Sequence, residues 1–342
     1  LINTEISHSF KERLLITSRY TWPIAALVLL LVFNVLMDAS FLNIHFDHGR
    51  FYGNPIDILH RSAPVALLAI GMTVVIATGG IDLSVGAVMA IAGAVCANLL
   101  VATDASLFTV LAIGIASGVL CGLINGGLVS YMGIQPIIAT LLLMVTGRGI
   151  AQLLNDGQIV TFQHAGFSFL GSGTLLGIPV SIWLVLAVFS ISQLLLRRTA
   201  LGLFVEAVGC NASASRYLGI NDRTVKLMAY MLTGFCAALA GMISAADIQG
   251  SDANNVGLWL ELDAILAVVL GGAALSGGRF SIPLSLLGVL IIQTLNTTIM
   301  VSGMPSKLNL LIKAIAVVLV LLLQSDTFRK QISGLAGRWR HS

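Results

Sequence analysis

Charge is scarce in this chain: Lys, Arg, Asp and Glu make up 10% of its 342 residues, against about 25% in a soluble domain. A surface that faces water over most of its area is therefore excluded. The formal net charge is only +3, too small for the basic footprint of a nucleic-acid binder. Cysteine is rare as well. Cys96, Cys121, Cys210 and Cys236 form no C-x-x-C pair, and they read as small packing residues, not as disulfides or metal ligands. No Lys follows a Gly anywhere, so the G-x-x-x-x-G-K-[ST] loop that cradles nucleotide phosphates is missing and ATP is not bound here in that way. There is no H-E-x-x-H, and the six histidines (His8, His45, His48, His60, His164 and His341) are scattered near loops and ends. His45 and His48 are close enough to chelate, but an exposed loop pair is ordinary, and no metal is expected. No nucleophile and base share a span, so no catalytic residue is assigned and the chain is not read as an enzyme.

What the chain does have is apolar length. Hydrophobic residues make up 57%, and apolar segments fall near 22–37, 58–79, 83–103, 106–130, 135–154, 179–196, 226–246, 259–276, 281–301 and 308–324. A helix needs about 20 mainly apolar residues to cross the hydrocarbon core, and its backbone groups must bond within their own segment. Strand-like alternation is missing, which disfavours a barrel. The expected fold is all-α: a polytopic membrane protein of about ten transmembrane helices, with residues 1–342 as a single transmembrane domain. The second and third segments, parted only by Gly79-Gly80-Ile81-Asp82, also read as one interrupted pair of half-helices. The first segment lacks a small-residue cleavage site at Met37-Asp38-Ala39 and reads as a retained anchor. Because the chain begins at Leu1 and not Met, further residues before it are expected.

Lys and Arg in short loops set the orientation. Lys11, Arg13 and Arg19 precede the first segment; Arg197, Arg198, Arg216, Arg223 and Lys226 fill the loop after the sixth; Arg329, Lys330, Arg338 and Arg340 close the chain. An even number of spans puts all three on one side, so both termini and the loop at about 197–226 are expected in the cytoplasm. The opposite side collects acids, among them Asp38, Asp57, Asp104, Asp156, Asp247 and Asp252.

Four places could carry function. Gly114, Gly118, Gly122 and Gly126 lie along one helical face, where another helix can approach closely. At the Gly79-Gly80-Ile81-Asp82-Leu83-Ser84-Val85-Gly86 break, two glycines end one helix, and Asp82 can cap the next near the cytoplasmic surface or serve in gating. Gly271-Gly272-Ala273-Ala274-Leu275-Ser276-Gly277-Gly278 repeats that pattern as G-G-x-x-L-S-x-G, a short echo that suits an internal repeat or two independent breaks. In the loop at 197–226, turn glycines divide short amphipathic pieces around Glu206, Gly209, Asn211 and Gly219, which suits either simple retention or docking of a cytoplasmic partner. On the outer side Asp247, Asn254, Asn255, Trp259, Glu261 and Asp263 gather carboxylates, amides and an aromatic ring. Sugars are bound by such groups, and a solvated loop with an interfacial Trp has them too.

Three of these stretches, Thr78 to Gly86, Glu206 to Ser215 with Gly219-Ile220, and Leu270-Gly271-Gly272 with Gly277-Gly278, resemble the permeases of bacterial ABC importers for ribose, galactose and related monosaccharides. The resemblance spans about residues 55–325. Within that family, Asn54 to Leu59 and Ala246 to Ala267 look most like the permeases that import galactofuranose. Ala212-Ser213-Ala214-Ser215 departs slightly from the family's pattern, which commonly carries Ala after the loop Asn. The resemblance implies an ABC importer permease fold in the bacterial inner membrane, translocating a monosaccharide from periplasm to cytoplasm. It implies a separate cytoplasmic ATPase carrying two cassettes, which binds ATP and Mg, so that this chain needs no cofactor. It further implies a second, related permease and a periplasmic sugar-binding protein. On this reading Glu206, Gly209, Asn211 and Gly219 couple to the ATPase, and Gly79, Gly80, Asp82 and Ser84 form the gating break. The rival is a secondary sugar carrier driven by an ion gradient, for which Asp82, Arg148, Glu261 and Asp263 are the available ionisable groups.

Overall fold

The structure, a computed structural model, describes residues 21–47 and 49–303, with Leu311, Ala314, Ile315 and Val318 beyond them. The basic residues before Thr21 and after Gln324, Lys307, the histidines His8, His48 and His341, and most of the segment at 308–324 lie outside the described residues. In chain order the helices are α1 (Thr21–Met37), α2 (Asn54–Ala77), α3 (Val85–Ala102), α4 (Leu107–Ser130), α5 (Pro136–Leu154), α6 (Ala165–Ser172), α7 (Val180–Arg198), α8 (Ala200–Cys210), α9 (Ala212–Tyr217), α10 (Asp222–Asp247), α11 (Leu260–Leu270) and α12 (Ile282–Val301). Seven of the described helices, α2, α3, α4, α5, α7, α10 and α12, are long and apolar enough to cross a membrane. This is a multi-pass, mainly helical membrane protein.

Among the described residues the first nine apolar segments each carry a helix, but the eighth does not run the length expected. Over 259–276 the helix stops after the 11 residues of α11, too few for a span, because Gly272 takes a φ of +80° and closes the last turn. The seventh begins earlier than hydropathy suggests: Asn221 caps α10 through Thr224, so the polar first turn Asp222-Arg223-Thr224-Val225 is helical. Short strands interrupt the all-α picture, as antiparallel ribbons of β1 (His45–Asp47) with β2 (Arg50–Tyr52), β3 (Ile159–Thr161) with β6 (Gly250–Asp252), and β4 (Thr174–Leu175) with β5 (Ile178–Pro179). They satisfy backbone groups where connections turn.

The described residues form two compact units, one of residues 21–41 and 290–303 with the few beyond, the other of Leu42–Val289. Within the smaller unit, Asn34 is 3% exposed and donates to the Leu30 carbonyl and to Thr298 Oγ1 at 2.8 and 2.7 Å, tying α1 to α12.

In the larger unit the glycine face of α4 does what its spacing suggests. A Cβ at Gly118 would meet the Gly234 carbonyl and Ala238, one at Gly122 the Tyr230 carbonyl, and one at Gly126 Leu227. The missing side chains let α4 lie against α10 backbone to backbone. The three cysteines in helices α3, α4 and α10 (Cys96, Cys121 and Cys236) are buried and free; Cys210, at the end of α8, is free and exposed.

Candidate functional site

Two places in the larger unit gather the residues singled out by sequence. At one end, α8 and α9 form a helical elbow. Asn211 ends α8 and caps α9, its Oδ1 accepting the Ala214 N–H at 3.0 Å. Gly219, at φ +82°, then closes α9: its N–H donates to the Arg216 carbonyl at 2.9 Å while Ile220 N–H donates to the Ser215 carbonyl at 3.0 Å. That is a left-handed C-cap, the conformation glycine adopts without strain. Asn211 and Gly219 therefore shape the elbow. Glu206 is exposed and lines a groove of about 500 Å³ with Gln193, Arg197, Leu203, Phe280 and Pro283. At the tip, Tyr217 is 93% and Leu218 80% exposed, an apolar knob that the sequence reading passed over because two residues make no periodic signal.

Gly209 faces inward. A Cβ there would fall inside contact distance of the Ala77 carbonyl oxygen, at the end of α2, and of the Gly278 nitrogen. Those two groups are themselves bonded, Gly278 N–H donating to Ala77 O at 2.8 Å. A Cβ on Gly277 would lie 2.9 Å from both the Gly209 carbonyl oxygen and Gly79 N. The elbow thus touches both helix interruptions at one point, with backbone on backbone.

The interruptions are similar but not in the register that the sequence echo suggests. After α2, Gly79 N–H donates to Ile76 O and Gly80 N–H to Val75 O; after α11, Gly272 N–H donates to Val269 O and Ala273 N–H to Val268 O. Both are the same paired C-cap, but the left-handed residue is the first glycine of one pair and the second of the other.

Asp82 departs from its expected role. Ser84 occupies the N-cap position of α3, and the Asp82 carboxylate accepts from Ser84 N (2.9 Å) and Ser84 Oγ (2.6 Å), not from the first turn of the helix. Its side chain is buried, 2% exposed. Ser84 Oγ also accepts from Asn125 Nδ2 at 2.8 Å, so a polar chain from α4 reaches into the break.

The second place is the run after α10, read from sequence as an outer loop. It turns back into the protein instead. β6 pairs with β3, Ser251 comes level with Gly93 on α3, and Gly257 packs against Gly86, where a Cβ would meet the Gly257 carbonyl and Glu261 Oε2. Seven helical residues separate Gly93 from Gly86, so the segment descends about 10 Å along α3. Non-helical backbone at that depth must find partners in protein or water. Arg148 of α5 supplies them, Nη1 donating to the carbonyls of Ala253 (3.0 Å) and Val256 (2.7 Å). One and two turns further on, Gln152 bonds Asn254 at 2.8 Å, and Asn155 bonds the Ser251 carbonyl at 3.0 Å and itself accepts from Asn98. The 148, 152, 155 spacing puts these three on one face of α5, a signal present in the sequence but visible only as scattered polar residues in an apolar segment.

On this descending segment Asn254 and Asn255 are exposed, Asn255 Nδ2 donating to Asp252 at 2.8 Å. Trp259, at φ +69°, is 56% exposed, and Glu261 and Asp263 are each 8% exposed. Asp247 does not join them; its Oδ1 lies 3.5 Å from His60 Nε2, and His60 Nδ1 meets Ser181 Oγ at 2.8 Å. The Asn255 side-chain bond, helped by the backbone N–H groups of Asn255 and Asn254, holds the Asp252 carboxyl below its ordinary value of 3.8. Among the described residues no cluster of three or more His, Cys, Asp or Glu is placed to hold a metal.

Comparison with known proteins gives a consistent picture. The family described as branched-chain amino acid transport system / permease component matches residues 54–321. The chain is 53% identical to the galactofuranose transporter permease protein of Escherichia coli over 325 residues, 94% of this chain and 95% of that one. It is 36% identical to the fructose import permease protein of Bifidobacterium longum over 324 residues (93% and 90%), and 35% identical to the ribose import permease protein of E. coli over 306 residues (88% and 92%). No solved structure matches it.

Proposed function

This chain belongs to the permease-component family of branched-chain amino acid transport systems, and from that membership we propose that it is the membrane-spanning subunit of an ATP-driven importer carrying a monosaccharide, galactofuranose, from periplasm to cytoplasm. One observation carries the coupling mechanism: Gly209 of the α8–α9 elbow lies against both helix interruptions at once. A partner that displaces the elbow moves the ends of α2 and the turn at Gly277-Gly278 together. In this reading the partner is a cytoplasmic ATPase with two cassettes, which holds ATP and its Mg, while this chain takes no cofactor. Glu206 and the Tyr217-Leu218 knob meet that ATPase. A second, related permease completes the pathway, a periplasmic binding protein delivers the sugar, and the chain sits in the bacterial inner membrane with both termini in the cytoplasm.

The choice of sugar over amino acid rests on the 53% identity to a galactofuranose permease and on the descending segment. Its amides, carboxylates and Trp ring suit hydroxyls and C–H faces. Arg148, which would have to meet an amino acid's carboxylate, is already engaged by two carbonyls. Asn254, Asn255, Trp259, Glu261 and Asp263 line the pathway on this reading, and Gly79, Gly80, Asp82 and Ser84 form its moving break. Alternating access needs only that different partners favour different states, so tight sugar binding within the membrane is unnecessary.

The test is affinity purification from native membranes with identification of stoichiometric partners, followed by galactofuranose uptake. Recovery of an ATPase and a second permease, with uptake that stops on ATP depletion and in Glu206→Arg, supports the reading. Uptake that survives ATP depletion but collapses with the ion gradient replaces it with a secondary carrier.

A further inference from the structure

Between the α4–α5 turn and the first turns of α10 lies a cavity of about 450 Å³. A neighbouring cavity of about 360 Å³ shares Tyr131, Arg216, Asp222 and Arg223 with it. Three cations, Arg216, Arg223 and Lys226, line the larger cavity with a single carboxylate, Asp222. Asp222 is already taken: Arg216 grips it through Nε and Nη2, and Lys226 Nζ stands 3.7 Å from its second oxygen. Arg223 has no carboxylate partner among the described residues, and its guanidinium lies 6.0 Å from the centre of the Tyr131 ring. The lining therefore carries two positive charges in excess of its one anion.

Tyr230 closes the back of the same cavity. It is fully buried, and its hydroxyl has no hydrogen-bond partner among the described residues. A buried hydroxyl left unpaired is costly, so a ligand acceptor is favoured there. Gly80, which also lines the cavity, lies directly against it: a Cβ at that position would come within 2.6 Å of the hydroxyl, so any side chain there would cover it. A neutral sugar has no use for the surplus charge. A phosphate group, with its negative charge and several acceptor oxygens, uses both the cations and the hydroxyl. Beside the cavity Tyr131 is 56% and Met132 71% exposed, and Ile138 of α5 is 51% exposed. An aromatic ring and apolar side chains next to a basic recess are what a lipid headgroup and its chains require.

We propose that this cavity binds the phosphate of an anionic phospholipid, with Arg223 and Lys226 carrying its charge and the Tyr230 hydroxyl donating to it.

The test uses the full chain in nanodiscs of phosphatidylcholine alone or with phosphatidylglycerol. Native mass spectrometry should find phosphatidylglycerol retained by the wild type. Arg223→Gln with Lys226→Gln should lower retention at least ten-fold, and Arg223→Lys with Lys226→Arg should preserve it. A second measurement needs no variant: amine-reactive labelling of Lys226 should slow several-fold when phosphatidylglycerol is present. Equal retention in both double variants, or labelling that ignores lipid composition, overturns the proposal. Protection of Lys226 in pure phosphatidylcholine by millimolar inorganic phosphate, with no lipid retained, overturns the lipid assignment and moves the anion to solution. Protection that appears only when the ATPase partner is bound overturns it in favour of an acidic side chain of that partner.

Discussion

Replacing Gly209 by Ala puts a methyl carbon inside contact distance of two backbone groups, the Ala77 carbonyl oxygen and the Gly278 amide nitrogen. Non-bonded contacts are comfortable at about 3.5 Å, and backbone cannot step aside as a flexible side chain can, so α8 must shift on the order of 1 Å. Overpacking of this kind costs about 1–3 kcal/mol. The same shift strains the 2.8 Å bond from Gly278 N–H to Ala77 O, a bond worth about 1 kcal/mol net. The better helix propensity of Ala offsets about 1 kcal/mol of this. The contact between elbow and interruptions is thus weakened by about 1–3 kcal/mol, a 5- to 150-fold change in a coupling constant. The assay is sugar taken up per ATP hydrolysed in proteoliposomes holding the transporter with its partners. Gly209→Ala should keep hydrolysing ATP while uptake per ATP falls at least about five-fold. Gly127→Ala is the control, because a Cβ at Gly127 meets nothing within 4 Å. Wild-type uptake per ATP in Gly209→Ala, with an unchanged melting temperature, would refute the argument that the elbow acts through this contact.

Gly118→Val, which forces side-chain bulk into the Gly234 carbonyl and Ala238, should destabilise the packing of α4 on α10 by about 3 kcal/mol, read as a lowered melting temperature in detergent. Arg148→Gln removes the donor to the Ala253 and Val256 carbonyls; each unpaired carbonyl costs about 1–3 kcal/mol, so hydrogen exchange over 250–259 should speed up while partner assembly is retained. The Asp252 carboxyl is held below 3.8 by Asn255 and two backbone N–H groups. Its stabilisation of the turn is therefore complete above that value and lost as pH falls below it. Asn255→Ala should weaken the loss of protease resistance in this turn across that acid window, and an identical acid profile would count against the bond.

Hydropathy placed α2 to α5, α7, α10 and α12 to within a few residues because an apolar run of span length has one stable solution in lipid, a helix bonded to itself. The elbow was legible in part for a similar local reason: Gly219 closes a helix whatever surrounds it, whereas the cap at Asn211 and the helical place of Gly209 in α8 appear only in the structure. The capping role of Asp82 was misread because the same residue caps a helix or closes a turn two residues on, and only the path of the chain decides which. The segment after α10 was read as outer loop because its polarity is that of a solvated loop. Its partners, Arg148, Gln152 and Asn155, lie about a hundred residues away in sequence.

By itself the sequence determined the membrane class, the approximate ends of the seven long helices described, and the glycine face of α4, all of which follow from composition and spacing within a single segment. The tertiary structure alone decided that α11 is a short helix entered from a descending segment, that Gly79, Gly209 and Gly277-Gly278 meet at one point, and that Asp247 pairs with His60 apart from the polar run. Those outcomes depend on backbones approaching where side chains are missing and on buried polar groups finding partners from distant segments, and neither is encoded in any local stretch.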